Sequence, residues 1–181
     1  MPDPYGGLLR EVQQALDAAG IETSIKSGGD VAPDQLYVAI AGETPDAPRS
    51  LQLMFLPGME EVPVLQQFVS LGIAPSKDAL ARVGEFLLAA NVFAPLGGFG
   101  FVRGDNLLYF RYNAATSVDP LDLDELSWTM AMVTYLVSHI APLIERVATG
   151  ADLEQMLDEL TEVIARDSAD AGRYLGPDGA S

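Results

Sequence analysis

The chain has 181 residues, enough for one domain with a sizeable core, and 49% of them are hydrophobic with a mean hydropathy of +0.18. It carries 26 acidic against 10 basic residues, a formal charge of -16 that repels phosphate backbones and anionic headgroups and so argues against nucleic-acid and membrane-surface partners. Cysteine is absent, which excludes disulfides, thiolate metal sites and cysteine nucleophiles.

The opening MPDPYGGLLREVQQ lacks the basic and then apolar regions of a secretory signal, and the longest apolar segments carry polar residues at helical spacing. A cytoplasmic location with no membrane partner is the expectation. The spacing of Leu8, Leu9, Val12 and Leu16 predicts a helix over 7–19 that stops at Gly20. Residues 21–35 read as polar and irregular. LYVAIA (36–41) and LQLMFL (51–56) read as strands, joined by the mobile, proline-bearing GETPDAPRS. Both faces of the second strand are largely apolar, so it is expected to be central or covered on both sides. VPVLQQFVSL (62–71) fits helix or strand, and its valines and Pro63 favour an edge strand.

Ser76 is the expected N-cap of the next helix, with Asp78 in its first turn and Leu80, Val83, Leu87 and Ala90 as a core stripe. Asn91 is near its end, and Pro95, Gly97 and Gly98 forbid continuation. A hairpin follows. A two-residue turn at Gly104-Asp105, with Gly104 at positive φ, places Phe99 opposite Phe110, Phe101 opposite Leu108, Gly100 opposite Tyr109 and Val102 opposite Leu107. Phe99, Phe101, Leu108 and Phe110 then share the buried face, and the Tyr109 ring covers the bare backbone of Gly100. Asp119 and Pro120 fit N-cap and first position of a third helix that runs to about Val147, with a kink at Pro142 and an end near Gly150. A last helix over 152–165 sets Leu153, Met156, Leu157, Leu160, Val163 and Ile164 on one side, and the remainder reads as a disordered tail. The expectation is a single α+β domain over 1–166, its tail over 167–181. It holds a twisted antiparallel sheet of about five strands in the order helix, three strands, helix, two strands, helix, with the helix over 152–165 added.

Catalytic chemistry finds little footing. His139 is the sole histidine, and Ser138 beside it points elsewhere on a helix, so the two do not make a nucleophile–base pair. A calcium loop started at Asp119 fails because its third and fifth positions are Leu121 and Leu123, so Asp119, Asp122, Asp124 and Glu125 read as helix-capping acids. Gly97, Gly98, Gly100 and Gly104 match neither a dinucleotide fingerprint nor a Walker loop, and Arg103-Gly104-Asp105 reads as a hairpin tip. No catalytic, cofactor-binding or metal-ligating set emerges, and no cofactor is expected. What remains is apolar surplus. Val102, Leu107, Tyr109 and Arg111 form an apolar–cationic strip on the sheet face away from Phe99 and Phe110. Trp128 and Tyr135 share one side of the third helix, either packing beneath the fourth helix or meeting another protein. A reading from another class gathers His139, Arg103 and Arg111 into a small-molecule-binding or hydrolytic pocket.

LQQFVSLGIAP (65–75), LLAAN (87–91), GGFGFVRGDNLLYFRYNAAT (97–116) and TYLVSHIAPLIERV (134–147) together resemble type III secretion chaperones and their YbjN-type relatives, over about residues 5–148. The resemblance implies a twisted antiparallel sheet, a homodimer and a non-enzymatic, protein- or peptide-binding role. It is nearer to the YbjN-type proteins, associated with bacterial stress and sensory regulation, because the helix over 152–165 is an addition. That helix either covers the surface a chaperone would use or builds the dimer.

Overall fold

The computed structural model describes residues 5–29, 32–40, 49–59, 61–94, 97–117 and 121–174, the last eight by backbone alone. Pro95, Asp119, Pro120, the last residue of the expected strand over 36–41, most of the connection expected to be mobile (42–48) and the end of the tail (175–181) lie outside the described residues. In chain order the elements are α1 (Gly6–Ala18), β1 (Thr23–Lys26), β2 (Gln35–Ile40), β3 (Arg49–Phe55), β4 (Val64–Ser70), α2 (Leu80–Asn91), β5 (Gly97–Val102), β6 (Leu107–Ala115), α3 (Leu123–Thr149) and α4 (Leu153–Tyr174). The fold is α+β. One six-stranded antiparallel sheet, in the order β1-β2-β3-β4-β6-β5, carries helices on one face.

The hydrophobic pattern places the helices. On the inner face Val38, Leu51, Val69, Phe110 and Phe99 run across the sheet in register, with Leu36 and Leu53 in the next row, and all are buried. α1 packs Leu9, Val12 and Leu16 against β1 and β2, and Tyr5 sets its ring 4.5 Å from that of Phe55. α2 and α3 pack on each other over the other end of the sheet, and α4 packs on both through Met156 and Leu160. The three-and-four spacing of Val83, Phe86, Leu87 and Ala90 supplies α2's buried side, with Leu80 only half-buried.

Several expectations are corrected. Thr23–Lys26 is a strand within the segment expected to be irregular, so the sheet has six strands. β4 is an interior strand, paired with both β3 and β6, because Pro63 precedes the strand and its missing N–H falls outside the ladder. β3 is central, yet helices cover only one of its faces, leaving Gln52 and Met54 half-buried. Ser76 closes a turn before α2, taking the Ala79 N–H on Oγ at 3.3 Å, and the α-helix starts at Leu80 with no side-chain cap. Asp122 caps α3 by accepting the Glu125 N–H at 2.9 Å. Its carboxylate takes one of the amides that the first turn leaves without a carbonyl partner. Gly150, at φ 110, ends that helix. α4 continues past 165 to Tyr174, where a disordered tail was expected.

The hairpin register is the expected one from Val102–Leu107 to Phe99–Phe110, while the expected facing pair Arg103–Asn106 falls in the loop. Its turn is not. Arg103–Asn106 forms a four-residue loop, and the left-handed residue is Asn106 at φ 49 while Gly104 has no positive φ. Asparagine tolerates that conformation well, and adding one loop residue on each side leaves the strand pairing unchanged. Beside the hairpin, Asn91 at the end of α2 takes the Phe99 N–H on Oδ1 at 2.7 Å and donates Nδ2 to the Phe99 carbonyl at 3.0 Å.

Candidate functional site: the open face of the sheet

Alternation along each strand sends every second side chain to the face the helices leave bare. The register puts Tyr37, Gln52, Phe68, Arg111 and Gly98 in one row across five strands. Ser24, Lys26, Gln35, Ala39, Ser50, Met54, Val64, Gln66, Ser70, Gly100, Val102, Leu107, Tyr109, Asn113 and Ala115 complete the surface, Gln66 being covered by its neighbours. None of these positions is Asp or Glu, although the chain carries 26 such residues.

Its centre is an aromatic stack with a cation at one end. The Phe68 and Tyr109 rings lie 5.3 Å apart at 23°, and the Arg111 guanidinium sits 5.8 Å from the Tyr109 centroid. Gly100 makes this possible, since a Cβ there would come within 2.5 Å of the Tyr109 ring. The ring lies across bare backbone, as the sequence pairing predicts. Nearby, Tyr37 donates its hydroxyl to Gln35 Oε1 at 2.6 Å, which holds that ring against the sheet.

Four of the six residues singled out from sequence, Val102, Leu107, Tyr109 and Arg111, therefore share this face. Phe68, Tyr37 and Met54 belong with them and were not foreseen. The strict alternation of β4 carries the signal for Phe68, with Leu65, Gln67 and Val69 facing inward and Gln66, Phe68 and Ser70 outward.

Trp128 and Tyr135 belong to α3, on the opposite layer. Trp128 is 61% exposed, so core packing beneath α4 is ruled out for it. Tyr135 is half-buried, stacks on His139 with centroids 4.3 Å apart, and has a buried hydroxyl with no partner among the described residues. His139 is exposed and faces the Tyr135 carbonyl through Nδ1 at 2.8 Å, which puts the proton on that nitrogen. The sheet separates His139 from Arg111, so the two do not converge on a pocket. Among the described residues no three His, Asp or Glu side chains gather into a set able to hold a metal ion. α3 is long and apolar enough by composition to cross a membrane, and half of its most apolar window is buried within the fold, as in a core helix.

Comparison with protein-family models, with curated proteins and with solved structures finds no match for this chain.

Proposed function

We propose that the protein is a non-enzymatic, cytoplasmic homodimer that binds an extended polypeptide across the open face of its sheet, in the manner implied by the resemblance to YbjN-type proteins and secretion chaperones. One observation carries the reading. Within its six strands the open face carries no carboxylate, Glu22 standing just outside β1 at its corner, in a chain of charge -16, and it presents Phe68, Tyr109 and Arg111 as a continuous aromatic–cationic ladder. Aromatic rings and arginine supply contact area at small entropic cost and are enriched where proteins meet. Lys26 and Arg111 favour a ligand with acidic and aromatic residues, while the chain's own charge disfavours that ligand elsewhere on its surface.

The test is selection from a displayed random-peptide library on the intact protein, repeated on the double variant Tyr109→Ala/Arg111→Glu. Acidic, aromatic peptides should be enriched by the first and lost by the second. Enrichment indifferent to the double variant, or a monomer by light scattering, contradicts the reading.

A further inference from the structure

The sheet ends on one side at β1, and one hydrogen bond decides which of its backbone groups face outward. The Ala39 N–H donates to the Glu22 carbonyl at 3.4 Å, so Glu22 and Ala39 extend the β1–β2 ladder as a hydrogen-bonded pair. Alternation then turns the N–H and carbonyl of Ser24 and Lys26 toward β2, and those of Thr23 and Ile25 away from it. Among the described residues no hydrogen bond reaches this outward set. The Thr23 hydroxyl donates to Asp17 of α1 at 2.7 Å, which ties the margin to the helix beneath it.

The side chains alternate in step. Glu22, Ser24 and Lys26 share the open face and are exposed, and neither charged group has an ion pair among the described residues. A margin this short, with an acid at one end and a base at the other, is complementary to itself run in reverse.

We propose that β1 pairs with β1 of a second copy, antiparallel about a two-fold axis at Ser24. In that register Thr23 faces Ile25 of the second copy, and every outward N–H and carbonyl is bonded. Glu22 faces Lys26 of the second copy, and Lys26 faces Glu22 of the second copy. Both pairs fall at non-hydrogen-bonded positions, where facing side chains come closest. A slip of two residues keeps half of the hydrogen bonds and takes each lysine away from its acid. Lysine on an edge strand ordinarily deters pairing. Here it deters any strand that brings no acid to meet it. The axis stands normal to the sheet, so the two open faces lie on the same side as one continuous surface. In that surface the corner carboxylate is matched by a lysine, and Arg111 of each copy is left to meet the ligand. The inference rests on the homodimer reading and names the margin that makes the pair.

The experiment is sedimentation equilibrium on the intact chain, on Glu22→Lys, on Lys26→Glu and on the double exchange Glu22→Lys/Lys26→Glu, all at exposed positions. Each single exchange sets like charges opposite each other at both ends of the margin and should weaken dimerisation about tenfold. The double exchange restores both pairs and should restore the affinity. An equimolar mixture of the two single variants should form a heterodimer, and hydrogen exchange at the Thr23 and Ile25 amides of the intact chain should slow as its concentration rises. A dimer indifferent to the exchanges, or amides indifferent to concentration, overturns the inference and leaves the homodimer reading standing. The same holds for a dimer strengthened by Glu22→Lys and weakened by Lys26→Glu, which reports net charge alone. A chain that stays monomeric at every concentration overturns both.

Discussion

The two faces of the sheet are built from the same strands and kept in place by different means. On the inner face Phe110 is fully buried, packed edge-on to Phe99 with centroids 4.8 Å apart and roofed by helices. One residue earlier in β6, Tyr109 has no helix above it and is ordered by its neighbours in the sheet, Phe68, Arg111 and the gap at Gly100. Burial by a second layer stabilises the fold, whereas lateral stacking shapes a surface at small energetic benefit. A protein that devotes a whole face to the second arrangement leaves that face available to something else.

The sharpest way to break the contrast is to truncate both neighbours. Phe110→Ala should destabilise the protein by about 3–5 kcal/mol, through lost transfer energy and a residual cavity. Tyr109→Ala should cost only about 1 kcal/mol. Urea denaturation of the two variants measures the difference, and equal losses would mean that the open face is covered.

A smaller effect is expected at alkaline pH. An unfolded tyrosine ionises near its ordinary value of 10.0, while folded Tyr112 resists because burial, and secondarily Glu125, raises its value. The unfolded state therefore releases its proton first, and stability that is intact below pH 10.0 is lost as pH rises through the folded value. Tyr112→Phe should flatten that decline in urea titrations above pH 10.

The smallest effect belongs to Trp128. With its side chain exposed, Trp128→Ser should change stability by no more than about 0.5 kcal/mol. A larger loss on thermal denaturation would restore the core role that its size suggests.

Legibility in the sequence followed the strength of the local constraint. The strand pairing of the β5–β6 hairpin was readable because alternation and facing aromatics demanded one register, while its turn was not, since Asn106 rather than Gly104 takes the left-handed conformation. β1 escaped notice because Thr23, Ser24 and Lys26 give a four-residue edge strand no apolar alternation beyond Ile25. The interior place of β4 was hidden by Pro63, whose position just before the strand decides between edge and centre. Apolar periodicity put Trp128 and Tyr135 on one side of α3 but carried no information on what that side meets. Of the candidate face, the half on the hairpin was legible. Phe68 and Tyr37 required the sheet order.

The Asn91 clamp has a consequence for how molecules meet. Its amide occupies the outward-facing N–H and carbonyl of Phe99, and the Gly97 N–H is taken by the Ala94 carbonyl at 3.2 Å. Part of the β5 margin is thus closed to an incoming strand, and β1 is the other margin of the sheet. Two copies joined through β1 would have only partly closed margins left to recruit a third. The side chain that fastens α2 to the sheet thereby also withholds part of one margin from strand-by-strand growth.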